Sequence, residues 1–173
     1  MQNIIELLKA DHKEVKELLR KLTADQPTED CDALFEKLYA SVKRHARFEE
    51  EEVYPLLKKK EDTKDLALEA YEEHQQAMTL LEALNELDDE DDTCDAKMQV
   101  LSEDLNHHIK EEESELFPAL KKAVTADVLQ RLGVAYQETK DSTGAEDNDT
   151  TADDMKAEKP ATRSRKSAAA RSR

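Results

Sequence analysis

Four histidines and two glutamates of this chain fall at matching places in an internal repeat. Residues 45–59 read HARFEEEEVYPLLKK and residues 108–122 read HIKEEESELFPALKK. A shift of 63 residues lays His45 on His108, Glu49 on Glu112 and Pro55 on Pro118. A shift of 62 lays His12 on His74, and Leu18, Leu19 and Leu22 on Leu80, Leu81 and Leu84. The chain has 5 histidines, and four of them are repeat partners. Packing alone does not ask for imidazole at duplicated positions. A doubled His-x-x-x-Glu is what a two-metal site built by duplication needs.

Residues four apart on a helix share a face. His45 and Glu49 therefore point into one space, and so do His108 and Glu112. His12 and His74 enter from two other helices. A carboxylate without a cation is very costly in a bundle core. Imidazole and carboxylate together suit first-row transition metals: iron, manganese or zinc. Two glutamates can bridge two metals while each metal takes two histidines, so the symmetry argues for two ions.

The elements that would position this set are amphipathic helices. Ile5, Leu8, His12, Val15, Leu19 and Leu22 step by three and four, giving a seam with His12 inside it. That helix ends near Thr23, and Asp25-Gln26-Pro27-Thr28 reads as a turn. The second segment, 29–60, has its seam at Leu34, Leu38, Val42, His45, Glu49 and Leu56. The third, 62–87, has Ala67, Ala70, His74, Ala77, Leu81 and Leu84. An acidic connection, 88–92, precedes the fourth segment, 93–123, whose stripe is Cys94, Met98, Leu101, Leu105, His108, Glu112 and Ala119. Pro55 and Pro118 should kink or end their helices. Thr125-Ala126-Asp127 can cap a short fifth helix with Val128, Leu129, Leu132 and Tyr136 on one face. The expected fold is all-α: an up-down-up-down four-helix bundle over 1–123, a short helix over 124–139, and a disordered tail over 140–173.

Composition supports this reading. Among 173 residues, 39% are charged and only 2 are glycine, which favours solvated helices over sheet. Net charge is −16. Residues 1–139 hold 18 Lys and Arg against 35 Asp and Glu, so this part should repel nucleic acid and anionic lipid. Weak contact by the basic end, from Lys159 onward, is the one nucleic-acid interaction the sequence leaves open. No apolar run is long enough to span a membrane. The start, MQNIIELLKADH, has no basic leader or cleavage site, so a cytoplasmic protein with reduced thiols is expected.

The pattern resembles the hemerythrin-like HHE cation-binding family. The resemblance rests on Asp11-His12, His45 with Glu49, Glu73-His74, and His108 with Glu112, in that order over residues 3–122. The phrases RHARFEEEEVYP and HHIKEEESELFP are close to the family's wording. It implies a non-haem di-iron centre with solvent or oxo bridging, held by His12, His45, Glu49, His74, His108 and Glu112. Oxygen-carrying members have a second histidine four residues from the third-helix one. Here those positions are Ala70 and Met78. The chain thus looks more like members that sense, handle iron or answer nitrosative and oxidative stress, with O2, NO or peroxide as ligand. A di-iron enzyme consuming peroxide or NO, and a metal-independent helical module binding a protein partner, remain alternatives.

Other residues receive plainer readings. His107 is turned about 100° from His108 and belongs on the surface or behind a ligand. Glu50, Glu51, Glu52, Glu111, Glu113 and Glu115 are expected on a solvated face. Tyr71 lies one turn before His74 and is expected in core packing. Cys31 and Cys94 each lie 14 residues before their ligand histidine, about 21 Å along a helix, too far to ligate.

Overall fold

The computed structural model describes residues 2–24, 30–87 and 91–146. The expected turn at 25–28, most of the acidic connection and the tail beyond 146, with its basic end, lie outside them. Five helices make up the described chain. Helix α1 is Ile4–Leu22. Helix α2 comprises Cys31–Phe48, a π-helical turn Glu49–Val53, and Tyr54–Leu57. Helix α3 is Glu61–Glu86. Helix α4 comprises Cys94–Glu111, a second π-helical turn Glu112–Leu116, and Phe117–Ala123. Helix α5 is Ala126–Glu146.

Local signals start these helices. Asn3 and Glu6 form a reciprocal cap on α1: the Asn3 side chain accepts from Ile5 and Glu6 N–H, and Glu6 accepts from Asn3 N–H. The Asp30 side chain accepts from Asp32 and Ala33 N–H at the start of α2. Thr125 accepts from Val128 N–H at 3.4 Å, the cap expected for α5.

The core is two apolar clusters. One contains Ile4, Leu8, Phe48, Leu57, Ala67, Ala70, Leu116 and Leu120; the other contains Val15, Leu19, Leu34, Leu38, Ala77, Leu81, Leu101 and Leu105. Helices α1 and α3 run from the first cluster to the second, and α2 and α4 run back. That order is the up-down-up-down bundle. Each helix contacts its neighbours in a closed ring, and α5 packs on α1.

The π-helical turns correct the expected seam. Tyr54 N–H bonds Glu49 C=O and Phe117 N–H bonds Glu112 C=O, five residues back instead of four. The wider turn carries one more residue and advances the helical phase. Leu57 and Leu120 are consequently fully buried, whereas the expected seam residues Leu56 and Ala119 are only partly so. Pro55 and Pro118 fall in the first turn after each π-helical turn, where a missing N–H disturbs little. The α pattern breaks just before each proline, and the helix continues beyond it.

The expected end of the fifth helix at 139 is also corrected, since α5 continues to Glu146. It closes tightly on the start of α1. A Cβ on Gly133 would lie 2.6 Å from Gln2 O and 3.0 Å from Ile4 N, both backbone atoms. Gly133→Ala should therefore lower stability by about 1–3 kcal/mol. Chemical denaturation checks this, and an unchanged midpoint would contradict the close approach.

Candidate metal centre

The six residues singled out by the repeat occupy one polar layer between the two apolar clusters. His12, His45, Glu49, His74, His108 and Glu112 are all buried, Glu49 at 0% and Glu112 at 1% exposure. The four Nε2 atoms face inward. His12 Nε2 lies 3.1 Å from Glu112 Oε2 and 3.3 Å from His45 Nε2. His45 Nε2 is 3.1 Å from Glu49 Oε2. Opposite, His74 Nε2 is 3.6 Å from Glu49 Oε2, and His108 Nε2 is 3.4 Å from Glu112 Oε2.

These donors form two groups, His12–His45–Glu112 and Glu49–His74–His108–Glu112. Within each, one ligand atom per residue lies within 4.8 Å of every other. Glu112 is common to both. The histidines of each group come from a pair of sequential helices, α1 with α2 and α3 with α4, while Glu49 reaches in from α2 and Glu112 from α4. Both oxygens of Glu49, Glu112 Oε2 and His108 Nε2 are buried without hydrogen bonds, although imidazoles stand within ion-pair distance. The directions do not match. Atoms that converge without bonding one another fit cations placed between them.

Behind the inner layer, carboxylates face the histidine Nδ1 atoms. Glu113 Oε1 lies 3.0 Å from His12 Nδ1, Glu50 Oε1 3.2 Å from His74 Nδ1, and Glu73 Oε2 2.7 Å from His108 Nδ1. Asp11 Oδ2 stands 3.9 Å from His45 Nδ1. The arrangement follows the repeat. The residue after each inner glutamate serves a first- or third-helix histidine, and the residue before each of those histidines serves the next helix. A carboxylate on Nδ1–H fixes the tautomer and leaves the Nε2 lone pair facing inward. This corrects the expectation that Glu50 and Glu113 lie on a solvated face. Glu51 and Glu52 are exposed as expected.

Asp11 ties the fifth helix to the centre. Tyr136 Oη and Lys140 Nζ both donate to its carboxylate. Lys140 therefore belongs to the folded body and not to a tail. Burial alone would raise the Asp11 pKa, but His45, Lys140 and Tyr136 outweigh it and hold the carboxyl far below its ordinary value. Burial likewise opposes charge on Glu112, yet His108, His12 and His45 hold it well below the usual carboxylate range. The converse holds for His45, which burial would lower but Glu49, Asp11 and Glu112 raise. In the absence of a cation these groups compensate one another, and a cation must displace imidazole protons to enter.

Two aromatic residues that the sequence reading missed complete the layer. Tyr54 Oη lies 3.2 Å from His74 Nε2 and donates to Glu112 Oε1 at 3.3 Å. Its repeat partner Phe117 stacks on His12, with ring centroids 5.5 Å apart. Burial first, then Glu49 and Glu112, push the Tyr54 pKa far above that of a free phenol, so it keeps its proton. The signal was present: Tyr54 and Phe117 precede the repeated prolines. Tyr71 packs at the edge of the first cluster with Lys58 Nζ 5.0 Å from its ring. His107 is 63% exposed and points away from the centre. Cys31 and Cys94 pack beside the second cluster.

The family model described as Hemerythrin HHE cation binding domain matches residues 3–120. The chain belongs to this family. A solved hemerythrin HHE cation binding domain-containing protein from Mycobacterium kansasii is similar to it, with 26% identity and a TM-score of 0.72, over 84% of this chain and 90% of that one. A DNA nickase of Nostoc sp. is 23% identical over 141 residues, or 80% of this chain and 39% of the nickase. The HHE chain thus spans well under half the length of that relative.

If Glu113 orients His12, Glu113→Gln should weaken metal binding about 10–100-fold. Glu52→Gln removes the same charge from the exposed face and should change it little. Titration against a chelator of known affinity distinguishes them, and equal losses would mean that only general acidity matters.

Proposed function

We propose that this HHE protein is a non-haem di-iron protein that binds O2, NO or peroxide, or handles iron, during stress. Manganese or zinc would suit the same donors. The supporting observation is Glu112, buried and common to two converging donor groups, as a carboxylate shared between two ions would be. His12 and His45 would hold one ion; His74 and His108 the other; Glu49 lies near both pairs. Two irons bound there supply redox chemistry and a position for a small ligand.

The residues around that position set its character. Tyr54 keeps its proton and donates it as a hydrogen bond, so a ligand arriving beside His74 meets a donor. Phe117 offers only an apolar face on the other side. A second reading is consumption of peroxide or NO, in which the Tyr54 hydroxyl would orient the ligand by a hydrogen bond while the protons come from solvent. None of the described helices is long and apolar enough to cross a membrane. We place the protein in the cytoplasm, where reduced iron is available.

The iron-loaded protein should show a new optical band on adding at least one of O2, NO or peroxide. Tyr54→Phe should keep the iron but weaken or shift that response. A spectrum insensitive to all three would contradict small-ligand binding and leave iron handling. An unaltered response in Tyr54→Phe would remove the tyrosine from the account.

A further inference from the structure

A third set of donors lies outside the buried layer, on the outer face of α3 and α4. Glu73, His107 and Glu111 bring one ligand atom each within 4.8 Å of the others. His107 Nε2 is 3.1 Å from Glu111 Oε1. The pair repeats the four-residue spacing of His108 and Glu112, turned by one residue to the outside. Glu73 belongs to both places, because Oε2 of the same carboxylate bonds His108 Nδ1 at 2.7 Å. One turn away, Gln76 donates to Asp104 at 2.7 Å and helps to hold α3 and α4 in register here.

The other half of the repeat is closed at the equivalent place. The repeat shifts carry His107 and Glu111 onto Arg44 and Phe48, and Glu73 onto Asp11. Asp11 is buried and held by Tyr136 and Lys140 of α5, and Phe48 packs on the Tyr136 ring at 4.7 Å. The first half therefore presents a cation and aromatic rings under a covering helix. The second presents an imidazole and two carboxylates, with His107 63%, Glu111 34% and Glu73 26% exposed. Duplication alone would have made the two faces alike.

We propose that Glu73, His107 and Glu111 form a third, surface cation site that takes a divalent first-row metal ion and is the entry point to the buried centre. These three donors are open to water, whereas the donors of each inner group are buried, so the surface ion is held more weakly and can move on. Glu73 is the link, since its carboxylate lies within 4.8 Å of the surface donors and bonds a histidine of the inner layer. The existence of the site stands on these three residues. Its role as an entry point rests on the di-metal reading given above.

The test uses the full chain, loaded with two equivalents of Fe(II) and then titrated with Mn(II) under electron paramagnetic resonance. Wild type should bind a further Mn(II), and the double variant His107→Ala, Glu111→Gln should bind it at least tenfold more weakly with iron content unchanged. Glu52→Gln should behave as wild type. From the metal-free chain, the double variant should also take up Fe(II) at least fivefold more slowly to the same endpoint. No Mn(II) binding, or an equal loss in Glu52→Gln, would overturn the site. Unchanged Fe(II) uptake would overturn its role as entry point. If wild type retains no iron, the di-iron reading fails, and the Mn(II) difference between wild type and double variant still decides the surface site.

Discussion

Two carboxylates buried in the middle of a four-helix bundle are the constraint around which the rest of this molecule is arranged. Glu49 and Glu112 sit between two apolar clusters, where negative charge is most expensive. Four imidazoles surround them, and four further carboxylates stand behind those imidazoles. The polar layer is thus ordered from inside to outside as carboxylate, imidazole, carboxylate. A hydrophobic layer of the same size would stabilise the fold with far less organisation. The arrangement makes sense as a site first and as a stabilising contact second.

Backbone geometry serves the same layer. Each inner glutamate opens a π-helical turn, and each such turn ends two residues before a proline. The extra residue brings Tyr54 and Phe117 against the histidines without moving the His45–Glu49 and His108–Glu112 pairs. The fifth helix then closes one flank, passing over α1 with Gly133 at the closest approach and reaching Asp11 through Tyr136 and Lys140. The repeat supplies two equal halves, and α5 together with the Tyr54–Phe117 difference makes them unequal.

Much of this was legible in the sequence because two independent periodicities coincide. The helical period placed His12, His45, His74 and His108 inside, and the repeat selected His108 over His107. The helix order followed from short connections between four amphipathic segments. Other features were hidden for definite reasons. The shift of the buried position from Leu56 to Leu57, and from Ala119 to Leu120, arises from a backbone turn that regular periodicity cannot show. Glu50 and Glu113 lay within glutamate runs whose members look alike, and the repeat pairs the exposed Glu52 and Glu115 just as it pairs them. Tyr136 and Lys140 act through Asp11, a contact across more than a hundred residues that no local pattern announces.

A di-metal centre here would hold two ions joined through Glu112. Mössbauer spectroscopy on the oxidised, iron-loaded protein, with iron content measured on the same sample, tests it most directly. About two irons per chain, magnetically coupled to a diamagnetic ground state, are expected. One iron per chain, or two that behave as isolated paramagnetic ions, would contradict it.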